Sequence, residues 1–240
     1  RSVVFSDLIQ FFVMCLGVAS VLFFSIYQFG GISYLQSGLP QSYFSPTGEN
    51  SIATTLVWGF IAMSTLVDPN FYQRCFAAES PKVAKKGILV STLIWILFDL
   101  CTTFGAMYAK AAISDADPNT AYLTYSIQLL PAGLKGFFLA GILATILSTL
   151  DSYLFLAGAT ISHDLAPKKL RNKTYLHPMG VILTGAMAIV MANYFKGDIK
   201  SVWKTLGSYS AACLLIPVLL GHLLKERIKD HQFIITCLFG

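Results

Sequence analysis

The stretch Gly141–Ile161 (GILATILSTLDSYLFLAGATI) is long and apolar enough to cross a bilayer, yet it carries Thr145, Ser148, Thr149, Asp151 and Ser152 in its middle. An aspartate at mid-membrane costs about 2.5–3.5 kcal/mol on the translocon-insertion scale, and only compensation within a helix bundle makes it tolerable. On a helix, residues 145, 148, 149 and 152 follow the i, i+3, i+4, i+7 spacing and share one face. Asp151 borders Ser148 on the adjoining side. A hydroxyl stripe beside a carboxylate, inside a membrane, meets the needs of a hard monovalent cation. A packing face of small residues explains the hydroxyls as well, but not the carboxylate.

The rest of the chain agrees with a membrane setting. It is 55% hydrophobic and 12% charged, where a soluble domain is about 25% charged. Its mean hydropathy is +0.64. These values make it an integral membrane protein with no separate soluble domain. The chain starts at Arg1 inside an apparent span and stops at Gly240 partway through another apolar run. The expectation is one transmembrane domain over 1–240, as a fragment of a longer polypeptide.

Spans need about 20 mostly apolar residues. They fall at Val3–Tyr27, Ser51–Val67, Gly87–Lys110, Pro131–His163, Met179–Phe195 and Ser201–Leu223, with Phe233–Gly240 beginning a seventh. Gln28–Asn50, rich in Gly and Pro, reads as a loop. The second half of Ala111–Leu130 is amphipathic enough for a short interfacial helix.

The net charge of +5 does not point to nucleic acid, because the basic residues cluster in short loops between spans. With Arg1 cytoplasmic and alternating sides, the inside holds Arg1, Arg74, Lys82, Lys85, Lys86, Lys168, Lys169, Arg171, Lys173, Lys225, Arg227 and Lys229. The outside holds Lys110, Lys135, Lys196, Lys200 and Lys204. That division, 12 against 5 of the 17 basic residues, supports both the orientation and the number of crossings.

The second span is short and contains Thr54, Thr55, Gly59, Ser64 and Thr65. Such a span is either a broken helix that exposes backbone to a substrate or a thin, tilted helix with packing hydroxyls. Three carboxylates lie in or at the edge of apolar runs. Asp7 reads as a first-turn aspartate facing the helix dipole, with Ser6 as cap. Asp99 reads as one polar bond to a neighbouring helix. Asp151 has the strongest case for function. Cys15, Cys75, Cys101, Cys213 and Cys237 have no paired spacing and read as small hydrophobes.

Enzyme classes lack their parts: there is no HExxH, Walker loop, CxxC, GxSG elbow or GxGD. His163, His177, His222 and His231 all fall at span ends or in loops.

SDLIQ in the first span, DPNFYQRCFAAESPKVAKKG after the second and ATILSTLDSYLFLAGATISHDL in the fourth together resemble the sodium/solute symporter family. The likeness runs over nearly the whole chain. That family includes carriers for proline, pantothenate, sugars, sialic acid and monocarboxylates. The resemblance implies an all-α, leucine-transporter-like bundle of two inverted five-helix repeats. These spans would be the last helix of the first repeat and all five of the second.

The resemblance also implies ion ligands. Thr145 (by its carbonyl), Ser148 and Thr149 match the family's sodium site. Asp7, Ser148, Asp151 and Ser152 match a second sodium held by some members. With Asp7 and Asp151 both ionised that second site is more anionic; alternatively one carboxylate stays protonated. Trp58, Met63, Ser64 and Thr65 are the substrate candidates. Trp203 and Tyr209 are an outer gate or an interfacial aromatic belt. Arg74 reads as a cytoplasmic anchor.

The expected function is sodium-coupled symport of a small polar organic solute across the cell membrane. Its partners are solute, sodium ions and lipid, with no cofactor, no metal beyond sodium, no catalytic residue and no nucleic acid. The alternatives are a symporter-like sensor module and a proton-coupled carrier using Asp7 or Asp151.

Overall fold

A computed structural model describes residues 2–171, 173–223 and 229–239. Arg1, Lys225, Arg227 and Gly240, which enter the charge count and the span assignment, lie outside the described residues. The described chain is helical, with no strand among the described residues. Six helices among the described residues are long and apolar enough to cross a membrane: Phe5–Phe29, Ile52–Phe76, Pro81–Ala112, Ala132–Leu165, Leu176–Tyr194 and Ile199–Gly221. A backbone in hydrocarbon must satisfy its own hydrogen bonds, and a helix does so within one segment. The protein is a multi-pass integral membrane protein of all-α class. Large apolar side chains stay exposed along these helices, such as Leu8, Phe12 and Leu16 or Leu89, Leu93 and Leu97. Such faces suit an apolar surrounding.

The chain divides into two compact units, Arg1–Gly48 with Lys85–Asp151, and Glu49–Ala84 with Ser152–Gly240. The first unit holds α1 (Ser2–Phe29) and α2 (Ile32–Gly38). It also holds α6 (Ala121–Leu129) and most of α5 (Pro81–Ala112) and α7 (Ala132–Ala159). Helix α1 ends where Gly30 takes φ +89, the left-handed position that favours glycine after a helix. The Gly30 carbonyl, freed by that turn, accepts the Tyr108 hydroxyl from α5. Helix α2 occupies what reads as loop in Gln28–Asn50. It forms because Leu35 and Leu39 bury against Val21, Met107 and Tyr125, which outweighs the flanking glycines. The expected interfacial helix is α6. It lies close to α5 because position 105 is glycine; a Cβ there would meet Tyr122 Cε2 at 2.7 Å.

Tyr125 and Ser25 are paired in this core, while the buried Tyr122 hydroxyl beside it has no hydrogen-bond partner among the described residues. Tyr125 Oη donates to Ser25 Oγ at 2.8 Å, and Ser25 Oγ donates to the Val21 carbonyl at 2.8 Å. Burial pushes the Tyr125 phenol up to about 12, so it remains a donor throughout the physiological range.

The second unit is built on α3 (Ile52–Met63), α4 (Pro69–Phe76), α8 (Leu176–Tyr194), α9 (Ile199–Ser210), α10 (Ile216–Leu223) and α11 (Asp230–Phe239). The second span is a broken helix. Helix α3 gives way to a 3₁₀ turn at Ser64–Val67, and the chain restarts as α4. Gly59 lies inside α3 and does not make the break. Asp68 and Pro69 do. Proline disfavours the helical conformation in the residue before it, and Asp68 is extended, with φ −69 and ψ 120. Pro69 then opens α4, where its missing N–H costs nothing, and Asp68 Oδ1 caps it by accepting from Asn70 N at 2.8 Å. The segment expected as a loop around Gln73 and Arg74 is therefore helix α4.

Helix α9 starts in the same manner. Asp198 accepts from Ser201 Oγ at 2.6 Å and from the amides of Ser201 and Lys200. The Ser201 hydroxyl, before the amides, holds the Asp198 carboxyl below the usual range. Between α9 and α10 lies a π turn, Ala211–Leu215. Pro217 brings no N–H to the carbonyl four residues back. That carbonyl, of Cys213, accepts the Cys237 thiol from α11 at 3.1 Å. All five cysteines are free.

Tyr125→Phe in the full-length protein removes one donor to a buried hydroxyl, and we expect a loss of about 1 kcal/mol. Thermal unfolding in detergent checks this; an unchanged midpoint would mean the Ser25 contact carries no stability.

Candidate cation site

Helices α1 and α7 run antiparallel within the first unit and touch at successive levels. A Cβ added at Gly141 would lie 3.1 Å from the Val13 carbonyl oxygen and 3.4 Å from Met14 Cα. Position 141 therefore brings backbone against side-chain-free backbone. Two turns further along α7, Ser148 Oγ donates to Asp7 Oδ1 at 3.1 Å. Both residues are half-buried.

Asp7 is not a first-turn aspartate, and Ser6 is not the cap of its helix. Helix α1 already runs from Ser2, which places Asp7 in its second turn. The carboxylate instead reaches across to α7. The residues alone gave no sign of this partner, which lies 141 positions away; the family resemblance had already grouped Asp7 with Ser148.

The other hydroxyls are locally committed. Thr145 Oγ1 donates to the Gly141 carbonyl at 2.9 Å, and Thr149 Oγ1 donates to the Thr145 carbonyl at 2.9 Å. Such bonds use the hydroxyl proton and leave oxygen lone pairs available. The Thr145 carbonyl lies inside α7, so it accepts the helical amide of Thr149 as well as the Thr149 hydroxyl, and a cation there would compete with one of these donors. Thr145, Thr149 and Asp151 are exposed along α7. The structure brings together Asp7 and Ser148; no hydrogen bond joins Asp151 to Asp7 among the described residues.

Ser152 belongs to the second unit, where Arg74 Nη2 donates to its Oγ at 3.4 Å. The next residue, Tyr153, donates its hydroxyl to Asp68 Oδ2 at 2.7 Å. Arg74 and Asp68 thus tie the start and the last turn of α4 to α7. The aspartate that caps α4 also holds it in place. The Asp-Pro pair was the sequence signal for this, unused because the segment read as a loop.

The substrate candidates sit where the second span breaks. Trp58 is half-buried on α3, Met63 is the last residue of α3, and Ser64 and Thr65 open the 3₁₀ turn. Ser64 Oγ donates to the Ile61 carbonyl at 2.6 Å. Asp99 is exposed on α5, and its own carbonyl accepts the Thr102 hydroxyl at 3.1 Å. Trp203 is 59% exposed, and Tyr209 donates its hydroxyl to the Cys237 carbonyl at 3.3 Å.

A family model for the sodium:solute symporters matches residues 1–231. The chain belongs to the sodium:solute symporter family. Relatives of this symporter-family chain include the sodium/pantothenate symporter of Escherichia coli, 27% identical over 239 residues, covering 92% of this chain and 49% of that protein. The high-affinity proline transporter of Bacillus subtilis is 22% identical over 237 residues, covering 90% and 49%. The sodium/myo-inositol cotransporter 2 of Oryctolagus cuniculus is 24% identical over 206 residues, covering 68% and 31%. The chain thus spans about half or less of the length of these relatives. No solved structure matches it. The family and these relatives are transporters, not enzymes.

The α1–α7 crossing depends on the missing side chain at 141. Gly141→Val should cost about 1–3 kcal/mol through overpacking, because its neighbours on α1 are backbone and cannot rotate away. Thermal unfolding of the full-length variant reads this directly; a wild-type midpoint would show that the two helices are not in contact there.

Proposed function

We propose that the full-length protein is a sodium-coupled symporter that imports a small polar organic solute by alternating access. The observation that carries this reading is the hydrogen bond between Asp7 and Ser148 across two membrane-spanning helices. A carboxylate at that depth needs a compensating partner, and a hydroxyl alone leaves its charge in place.

Sodium is a hard cation that prefers oxygen ligands. In this reading Thr145, by its carbonyl, Ser148 and Thr149 hold one sodium ion on α7. Asp7, Ser148 and Asp151 contribute to a second, with Ser152 next in the chain. Hydroxyls and carbonyls carry no net charge, so binding stays reversible. Sodium moving inward down the membrane potential contributes about 2.3 kcal/mol per charge per 100 mV.

The solute reading draws on the break in the second span. Transporters place substrate against unwound backbone at such breaks, and Trp58, Met63, Ser64 and Thr65 surround this one. The solutes named for the three relatives, pantothenate, proline and myo-inositol, are all small and polar. These four residues carry no charge, which suits a solute recognised by hydroxyl and backbone groups. The residues 1–240 are one transporter domain in this reading, working as part of a leucine-transporter-like inverted-repeat bundle in the cell membrane.

Solute uptake by the full-length protein in vesicles, at fixed pH, tests this. Ser148→Ala and Thr149→Ala should each raise the sodium concentration for half-maximal uptake on the order of ten-fold. Uptake that ignores sodium but follows pH would replace sodium with a proton at Asp7 or Asp151. Absence of any uptake, together with solute binding, would favour a sensor module instead.

A further inference from the structure

Gln10 Oε1 is buried and has no hydrogen-bond partner. An amide oxygen is an acceptor only, so a dry, unpaired one is destabilising unless a hydrogen-bond donor or a cation reaches it. Its position says what that is. Gln10 lies three residues after Asp7 on α1, which places the two side chains on one face. The antiparallel register then fixes what stands opposite. Asp7 meets Ser148, and Val13 meets Gly141. Gln10 falls between these levels, opposite Ala144 and Thr145. Ala144 is 7% exposed and brings only a methyl group. The Thr145 hydroxyl proton is already given to the Gly141 carbonyl. The helix facing Gln10 therefore offers no side-chain donor at that level.

We propose that Gln10 is a ligand of the cation held between α1 and α7, supplying a neutral amide oxygen beside the Asp7 carboxylate and the Ser148 hydroxyl. The donor chemistry fits. Ser148 spends its proton on Asp7 and presents lone pairs; Gln10 presents lone pairs alone; Asp7 presents a second carboxylate oxygen. Within this set of three, Asp7 alone is charged, and one negative charge among neutral oxygens suits a monovalent ion. All three residues belong to the same compact unit, so the set does not depend on any inter-unit arrangement. The competing occupant of this space is a water molecule, which needs two to four polar partners and would satisfy Gln10 without any ion.

The inference rests on the sodium reading above, and one experiment separates the two. Purified full-length protein in detergent is melted while sodium chloride replaces choline chloride at constant ionic strength. A ligand that binds the folded state raises the midpoint with concentration. The variant Gln10→Met keeps side-chain length and removes the oxygen. We expect its sodium-free midpoint to equal or exceed wild type, because an unpaired buried acceptor has gone. Its half-saturating sodium concentration should rise on the order of ten-fold. A wild-type midpoint that responds to sodium, with the same half-saturation in Gln10→Met, overturns the Gln10 assignment and leaves a water there. A sodium-free midpoint clearly below wild type, or failure to fold, makes Gln10 a structural residue and overturns it equally. A wild-type midpoint indifferent to sodium overturns the sodium reading itself.

Discussion

A carboxylate set near the end of a membrane-spanning helix and half-buried against a second one requires that its charge be met by groups fixed at short range, and the α1–α7 crossing is arranged around this requirement. Asp7 meets Ser148 at 3.1 Å because the helices close on each other at Gly141, where a side chain would strike the Val13 backbone. Hydrophobic burial gives little drive to helix association in lipid, so close backbone approach and interhelical hydrogen bonds take its place. The two features depend on one another. The glycine sets the distance, and the polar contact uses it. The hydroxyl face of α7 then has its protons directed inward to carbonyls or to Asp7, leaving oxygen lone pairs as the chemically available surface.

The second unit solves a different problem, that of stopping and restarting a helix at membrane depth. Asp68 ends one segment, caps the next and accepts the Tyr153 hydroxyl, so a single carboxylate performs three tasks. Arg74 adds a second tie from α4 to Ser152. The sixth span is interrupted in a comparable way, with a π turn before Pro217 and the released Cys213 carbonyl taken up by Cys237. Irregular backbone in both spans is compensated by a named side chain, as a low-dielectric surrounding demands.

Much of this was legible in the sequence because hydropathy and length suffice to locate spans. Their limits were less so. Helix α5 begins at Pro81 rather than Gly87, since Lys82, Lys85 and Lys86 mark the edge of the membrane and not the end of the helix. Helix α2 was hidden by Gly30, Gly31 and Gly38, which signal a loop locally, whereas Leu35 and Leu39 are held by distant partners. The break in the second span was visible as an alternative, but Gly59 drew attention away from the Asp-Pro pair that makes it. The spacing of Thr145, Ser148, Thr149 and Ser152 gave the hydroxyl face directly. Its contact with Asp7 depends on a chain separation of 141 positions, which no local pattern encodes, and the unpaired Gln10 oxygen is visible only once burial is known.

The central claim is that a monovalent cation sits between α1 and α7 with Asp7 as its charged ligand. Equilibrium binding of radioactive sodium to the purified full-length protein, compared with Asp7→Asn, tests it most directly. The variant keeps the shape of the side chain and removes the charge. The account predicts that the number of sodium ions bound per protein falls by one; an unchanged binding isotherm would contradict it.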